Sequence, residues 1–213
     1  MFLKLNTMNF VIVLLTFITM TYGYSLSYMP NFNMKNTFDR IDNNKKNFDS
    51  VFDLMTQKEN YCFMATISNQ KNIEGYPYGS VMGYSLNEQG FPILGLSSIS
   101  RHSKNIQDNK SVSIVILEKK IQNIFQKRVV LTGNLKKIEN EIMDDYKIPS
   151  ELTTQYKEIY MKSHPDALWI DFPDVNMYVL DDIKDIFYIG GFAKADKLNV
   201  DVYIDYLNNN YNM

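Results

Sequence analysis

Short apolar runs, most of them alternating with polar residues, recur along residues 61–192 at spacings typical of β-strands. Gly90, at the end of the polar sequence Asn87–Gly90, supplies the positive φ that a hairpin turn needs. Regular short antiparallel strands favour a small barrel over a parallel sheet. The pattern predicts strands over Tyr61–Ser68, Tyr78–Leu86, Phe91–Ser97, Ser111–Leu117, Arg128–Ile138, Asn176–Leu180 and Asp185–Phe192.

Helical patterns flank and interrupt these strands. Apolar residues at helical spacing predict an amphipathic helix over Asn47–Glu59, and the polar stretch Ser98–Asn109 predicts a short one. A third helix is predicted over Glu139–Lys162, interrupted by Pro149 and prevented from continuing by Pro165. The predicted fold class is therefore mostly β (α+β), a small antiparallel barrel with flanking helices.

The N-terminal segment has the order of a secretory signal peptide. Lys4 precedes an uncharged apolar run, Phe10–Met20, which is shorter than the ~20 residues that a bilayer span needs. Small or weakly polar residues then offer a cleavage site, so residues 1–23 are predicted to be a signal peptide. An N-terminal membrane anchor or a first buried strand are the alternatives. Cleavage would leave no membrane span in the mature chain.

Residues 24–46, rich in Asn, Met, Ser and Lys, show no clear period. They are predicted to form a linker, or the second part of a bipartite presequence that directs proteins to a secondary plastid. The destination is therefore the secretory pathway or, alternatively, such a plastid. One domain is predicted over residues 47–206, followed by a C-terminal tail at 207–213.

Composition narrows the function classes. Lys+Arg 22 against Asp+Glu 24 gives a net charge of -2, so no strongly basic face suggests a nucleic-acid partner. A single cysteine excludes an intrachain disulfide framework, and two histidines leave little material for a metal centre. No metal site is therefore predicted. Aromatic residues reach 14%, enough for a dense core and for flat faces toward a planar ligand.

The segment Ser97–Asn105 (SSISRHSKN) is the first candidate site. Hydroxyls, backbone N–H groups at a helix start and the Arg101 guanidinium together can bind an anion such as a phosphate. The alternative is a surface helix with an ordinary serine N-cap. No Ser/His/Asp triad can be assembled with confidence, so the catalytic residues are unknown; His102 is the best candidate proton donor.

The segment Gly75–Ser80 is the second candidate site. Gly79 would let a planar ligand approach the backbone, and the N–H and C=O groups of the strand could bind the polar edges of a ring. The alternative is an ordinary turn that leads into a strand.

The remaining candidates have simpler explanations. His164 is expected to be a helix C-terminal cap or an interface residue, and Trp169 and Phe172 to be core or dimer-interface residues. Cys62 is expected to be a small buried hydrophobe. Asn109 begins an Asn-Lys-Ser glycosylation acceptor, which matters only if the mature chain enters the secretory lumen.

Taken in order, these motifs resemble the FMN-binding split-barrel superfamily, the pyridoxamine 5′-phosphate oxidase-like proteins. The nearest likeness is to the branch with HugZ-type haem-utilisation proteins, CREG-like secreted glycoproteins and plastid split-barrel proteins. The resemblance covers roughly residues 47–206. It is carried by the motifs Tyr76–Val81, Pro92–Ser98, His102–Asn105, His164–Ala167 and Trp169–Phe172.

The resemblance implies FMN at a homodimer interface. It places Ser100 and Arg101 on the phosphate, with His102 where the oxidases have lysine and Asn105 in place of a pocket glutamine. The arginine-containing substrate motif of the oxidases has no counterpart in Gly190–Asp196, which argues against pyridoxamine phosphate oxidation. The implied cofactor-binding residues are Tyr78, Gly79, Ser80, Val81, Leu96, Ser97, Ser98, Ser100, Arg101, His102 and Asn105.

Two functions from different classes follow. The first is an FMN-dependent oxidoreductase of unknown substrate. The second is a non-catalytic CREG-like, haem-binding or partner-binding module, with haem as the alternative cofactor.

Overall fold

The computed structural model of the protein describes residues 34–57, 60–118, 123–143 and 146–211. The predicted signal peptide and residues 24–33 of the predicted linker lie outside these ranges. The described residues divide between two units, with the boundary between residues 42 and 43. Residues 34–42 of the first unit are helical, and the sheet and every side chain described below belong to the second.

Helices and strands follow one another in an order dominated by strands. The helices are α1 (Met34–Met55), α2 (Arg101–Asp108), α3 (Glu151–Ser163) and α4 (Val200–Tyr211), with a 3₁₀ turn over Leu168–Asp171. The strands are β1 (Tyr61–Ile67), β2 (Pro77–Gly83), β3 (Ser85–Leu86), β4 (Pro92–Ser97), β5 (Ser111–Leu117), β6 (Arg128–Lys137), β7 (Glu141–Met143), β8 (Tyr146–Ile148), β9 (Val175–Gly191) and β10 (Lys194–Leu198). Within the described ranges, no helix is long and apolar enough to cross a membrane.

The main sheet is antiparallel throughout, in the order β2-β1-β5-β6-β9-β4-β3, with β10 paired to β9. The strand β9, 17 residues long, pairs with β4 near its start and with β6 and β10 further along. Because β9 pairs with three other strands along its length, the sheet curls into a half-barrel. The predicted mostly β class, with antiparallel strands and flanking helices, is confirmed.

Alternating burial along the strands explains the core. In β5 and in most of β6 every second residue is buried, as expected when one face of a sheet packs inward. The larger cluster lies on the concave side of the sheet and includes Leu94, Leu96 and Ile114. A second cluster, which includes Ile93 and Ile170, lies between β4, β9 and the α3 region.

Two glycines are required by the backbone they occupy. Gly90 has φ 82° and donates its N–H to Asn87 O at 2.9 Å, which confirms the predicted hairpin turn. Gly133 lies where the β6–β9 register shifts, and a Cβ there would sit 2.4 Å from Asp182 O. Any side chain at Gly133 would therefore force two strands apart.

Two helix predictions need correction. α1 begins at Met34 and ends at Met55, so residues 34–46 of the predicted linker are helical; no glycine or proline interrupts them. The predicted helix over Glu139–Lys162 is wrong in its first part, which forms the β7–β8 hairpin. α3 begins only after Pro149, because Ser150 caps it by accepting a hydrogen bond from Thr153 N–H.

The C-terminal predictions also need correction. The strands predicted as Asn176–Leu180 and Asp185–Phe192 are one strand, β9, which pairs with β6 through the polar stretch between them as well. Within that stretch the exposed Lys184 and Asp182 form a salt bridge along the same strand at 2.5 Å. β2 and β3 are separate where one strand was predicted. β10 and α4 were not predicted, and α4 continues past residue 206 into the predicted tail.

Candidate functional site

A buried hydrogen-bond chain ties α2 to the first two strands of the sheet. His102, near the start of α2, is 4% exposed. Its Nδ1 lies 3.0 Å from Thr66 Oγ1 on β1, and its Nε2 lies 3.0 Å from Ser80 Oγ on β2. Asn105 Nδ2 donates to the same Thr66 Oγ1 at 2.9 Å. The predicted residues Ser80, His102 and Asn105 are therefore brought together.

The partners assign a protonation pattern to this chain. Thr66 Oγ1 accepts a hydrogen bond from Asn105 Nδ2–H, and the Thr66 hydroxyl can in turn donate a hydrogen bond to His102 Nδ1. His102 Nε2–H can then donate to Ser80 Oγ, whose hydroxyl donates to Met82 Sδ at 3.7 Å. A neutral imidazole with its proton on Nε2 satisfies every hydrogen bond in this chain. Burial also lowers the pKa of His102 below its ordinary value, which favours the same neutral form.

Arg101 and Tyr78 meet beside this chain. The Arg101 guanidinium lies 5.4 Å from the centre of the Tyr78 ring, and the His102 imidazole also contacts that ring, with centroids 4.9 Å apart. Arg101 is exposed, so its guanidinium can hydrogen-bond an anion from solvent. A fixed cation above an aromatic ring suits a planar ligand that carries an acidic group.

The free edge of β2 adds polar backbone groups next to this pair. β2 is the last strand of the sheet as described, and it pairs with β1 only. Ser68 N–H donates to Tyr76 O at the start of an uninterrupted register. Since bonded and non-bonded pairs alternate in an antiparallel ladder, Gly79 and Val81 direct their N–H and C=O groups away from β1. We call Tyr78–Val81 with Arg101 the β2 edge site.

Gly79 leaves this edge open. It is exposed, and the nearest atom to a Cβ built there would be Met64 O at 3.6 Å, an ordinary contact. The side chain of Val81 is also exposed, on the opposite face of β2 from Tyr78 and Ser80.

The other predicted residues lie apart from this site or are already occupied. Leu96 is buried in the larger core cluster. Ser97 Oγ makes a short hydrogen bond with the Asp174 carboxylate, and Ser98 N–H donates to Asp174 O at 2.8 Å. Ser100 Oγ caps α2 by accepting from Ser103 N–H at 3.1 Å, the alternative weighed for this segment.

The third sequence motif forms a separate cluster. His164 ends α3 as its C-terminal cap, as expected, and its Nε2 lies 2.9 Å from Tyr84 O. Trp169 and Phe172 are 38% and 58% exposed, so the expectation that they belong to the core is wrong and the interface alternative stays a prediction. Cys62 is buried as expected, and burial raises the pKa of its thiol to about 12.

Sequence reasoning missed Thr66 and Asp174. Thr66 sits in an apolar strand where a threonine is unremarkable, and only its pairing opposite Tyr78 brings it to His102. Asp174 follows Pro173 in a turn, with no motif to single it out.

An apolar row crosses the convex face of the sheet. The register aligns Val81 with Phe63, Phe63 with Val115, Val115 with Val130, and Val130 with Phe187. Val81, Phe63 and Phe187 are 55%, 46% and 39% exposed. Val115 and Val130, in the same row, are half-buried.

Residues 53–205 match the family model described as CREG, beta-barrel. The chain belongs to the CREG β-barrel family. Its sequence is also 28% identical, over 134 residues, to the chloroplastic heme oxygenase HOZ of Arabidopsis thaliana. That match covers 63% of this chain and 38% of the length of HOZ, so this CREG β-barrel chain corresponds to well under half of its curated relative.

Solved structures share the fold. A heme-binding protein from Mycobacterium smegmatis superposes with a TM-score of 0.61 at 19% identity, over 75% of this chain and 60% of that one. HutZ, the heme storage protein of Vibrio cholerae, gives 0.51 at 21% identity, over 67% and 94%. A protein of the pyridoxinephosphate oxidase family from Clostridium acetobutylicum gives 0.51 at 16%, over 75% and 98%. The CREG β-barrel of this chain is a split barrel, as the sequence motifs predicted.

Proposed function

We propose that this chain is a haem-binding split-barrel protein that holds the macrocycle at the β2 edge site of a homodimer. The observation that carries the proposal is the exposed Arg101 guanidinium fixed above the Tyr78 ring beside an open strand edge. Haem is planar and apolar and carries two carboxylates, so it matches the aromatic ring of Tyr78 and the cation of Arg101. Haem, when bound, supplies redox and oxygen chemistry.

The similarity to proteins named for haem favours haem over other planar anions as the ligand. HOZ is named a heme oxygenase, and two structural neighbours are named for heme binding or storage. The protein residues at the edge would bind the carboxylates through Arg101 and pack against the ring through Tyr78. The buried chain of Thr66 and His102 would hold Ser80, and with it β2, in place.

FMN is the second candidate, because the backbone of β2 favours it. Outward-directed N–H and C=O groups at Gly79 and Val81 suit the polar edge of an isoalloxazine ring, and Arg101 suits a phosphate. Ser100 Oγ is already engaged in the helix cap, and His102 is buried where the oxidases have lysine. The phosphate would therefore depend on one side-chain cation. With FMN the protein would act as an oxidoreductase, the flavin supplying hydride or electron transfer.

A homodimer is part of the proposal. The convex row of Val81, Phe63, Val115, Val130 and Phe187 would be buried against a second copy, which would also cover the neighbouring β2 edge. Burial of apolar area is the main favourable term in association.

The dimer is tested by sedimentation velocity. Phe63→Asp should shift the protein from dimer to monomer, because a buried unpaired carboxylate disfavours association. Phe192→Asp is the matched control, since Phe192 is 74% exposed and lies outside the row. A monomeric wild type, or a Phe63→Asp protein that remains a dimer, would contradict the assignment.

The ligand is tested by titrating the full-length protein with hemin and, separately, with FMN. Arg101→Gln should weaken the preferred ligand by at least about tenfold, the effect of one lost charge-assisted hydrogen bond. Lys162→Gln removes an exposed charge from α3 and should leave the affinity unchanged. Tighter binding of FMN than of hemin would select the second candidate. An affinity that Arg101→Gln does not alter would remove the β2 edge site.

We also propose that the chain enters the secretory pathway, with delivery to a secondary plastid as the alternative. A tagged full-length chain followed in cells separates the two. Lumenal delivery would allow glycosylation of Asn109, which is exposed at the C-terminal cap of α2. Plastid delivery would show a second processing step within residues 24–46.

A further inference from the structure

The two histidines of the chain bear directly on how iron would be held. The 213 residues contain two histidines, His102 and His164. A second copy would bring the same two residues. Any imidazole that these residues could offer to a haem iron, within one protomer or between two, is therefore that of His102 or His164.

His102 has no nitrogen lone pair to offer iron. Its two ring nitrogens are each 3.0 Å from a hydroxyl, Thr66 Oγ1 on one side and Ser80 Oγ on the other, and the ring is 4% exposed. Freeing Nδ1 would strand the buried Thr66 hydroxyl. Freeing Nε2 would separate α2 from β2, the strand that forms the proposed site.

His164 is enclosed in a different way. Its Nε2 must carry the proton, because its partner, Tyr84 O at 2.9 Å, can only accept. The ring centroid lies 4.6 Å from that of Tyr160 and 5.4 Å from that of Tyr61, and the residue is 5% exposed. Gly83 approaches the same ring so closely that a Cβ there would be 3.2 Å from it. No macrocycle can reach this imidazole while α3 and β2 stay packed.

We infer that haem bound to this chain is held by its ring and its carboxylates, with neither His102 nor His164 on the iron, and that the iron is open to an added nitrogen base. The inference rests on the proposed haem-binding function and concerns only the iron ligand. Neutral nitrogen bases such as imidazole are the class of small molecule that should then bind the iron.

Resonance Raman spectroscopy of the full-length protein loaded with hemin and then reduced tests the inference. The expected result is the absence of an iron–histidine stretching band, together with a marked shift of the absorption spectrum when imidazole is added to the ferric form. The hemin-binding spectrum of His164→Gln should match that of the wild type, since His164 lies outside the β2 edge site. The wild-type Raman spectrum decides the matter even where a variant fails to fold.

The outcomes separate the inference from the proposed function. An iron–histidine band that disappears in His102→Gln or His164→Gln would overturn the inference and leave haem binding intact. A wild-type spectrum that imidazole does not change would also overturn it, because the axial positions would then be filled by a firmly held side chain. A protein that forms no hemin complex would overturn the proposed function and the inference with it.

Discussion

The buried imidazole of His102 should make the stability of the protein depend on pH. Burial lowers the pKa of this residue in the folded state below the ordinary value of 6.5 that it regains on unfolding. Below that value the unfolded chain binds a proton that the folded chain does not. The free energy of unfolding must therefore fall as the pH is lowered through the unfolded pKa, and continue to fall until the folded imidazole also titrates.

The size of the effect follows from proton linkage. A histidine that stays neutral in the folded state removes about 1.4 kcal/mol of stability for each pH unit below its unfolded pKa. Between about pH 7.5 and about pH 5.5, His102 should therefore remove up to roughly 1.4 kcal/mol, since the effect begins only near the unfolded pKa. In the wild type this loss adds to the contributions of the carboxylates over the same range.

Urea unfolding at a series of pH values, followed by circular dichroism, isolates the histidine. His102→Gln cannot titrate, so its stability should fall less steeply with decreasing pH than that of the wild type, by up to the amount given above. Ser80→Ala is the matched control, because it removes the partner of Nε2 while leaving the imidazole buried, and it should keep the wild-type slope. Equal slopes for the wild type and His102→Gln would refute the assignment of a buried, neutral His102.

Three further results can be checked by unfolding and thiol assays. Thr66→Val should cost about 1–3 kcal/mol, because it leaves Asn105 Nδ2 and His102 Nδ1 unpaired in the core, whereas Thr132→Val should change stability by less than about 0.5 kcal/mol. Gly133→Ala should cost about 1–3 kcal/mol or more by overpacking against the Asp182 backbone, whereas Gly79→Ala should be nearly neutral. Cys62 should react with a thiol reagent at mildly alkaline pH only after denaturation, because its thiol is buried with a pKa near 12; rapid reaction of the folded protein would show that β1 is not packed as described.

The alternation of apolar and polar residues predicted most of the strands, and it failed where a strand has polar residues on both of its faces. The predictions for β5 and β4 were confirmed nearly to the residue, because apolar side chains alternate or run unbroken between clear turns. The pattern predicts two strands on either side of the polar middle of β9, although that stretch pairs with β6 through its backbone and leaves its charges in solvent. When both faces of a strand are partly exposed, the polarity of its side chains does not show that its backbone is hydrogen-bonded to a neighbouring strand.

The C-terminal helix was missed although its signal is present. Val200, Tyr203 and Leu207 recur at helical spacing, and Asn199 Oδ1 accepts a hydrogen bond from Val202 N–H at the start of α4. Tyr203 and Leu207 are buried in the larger core cluster. The short amphipathic pattern of α4 was overlooked because it lies in an asparagine-rich stretch at the end of the sequence.

The sequence predicted which residues belong to the candidate site, but it did not predict how they contact one another. Motifs singled out Tyr78, Ser80, Arg101, His102 and Asn105, which the fold does bring together. Their connection runs through a threonine on β1, and that depends on strand register, which no local pattern fixes. The face on which each β2 residue lies depends on the same register.

The central claim is that this CREG β-barrel chain binds haem at the β2 edge site through Tyr78 and Arg101. The most direct measurement is a difference absorption titration of the full-length protein with hemin, run in parallel with Arg101→Gln and Lys162→Gln. The claim predicts a saturable Soret change with one hemin per chain, weakened by Arg101→Gln and unaffected by Lys162→Gln. A titration without saturation, or one in which the wild type and Arg101→Gln coincide, would contradict it.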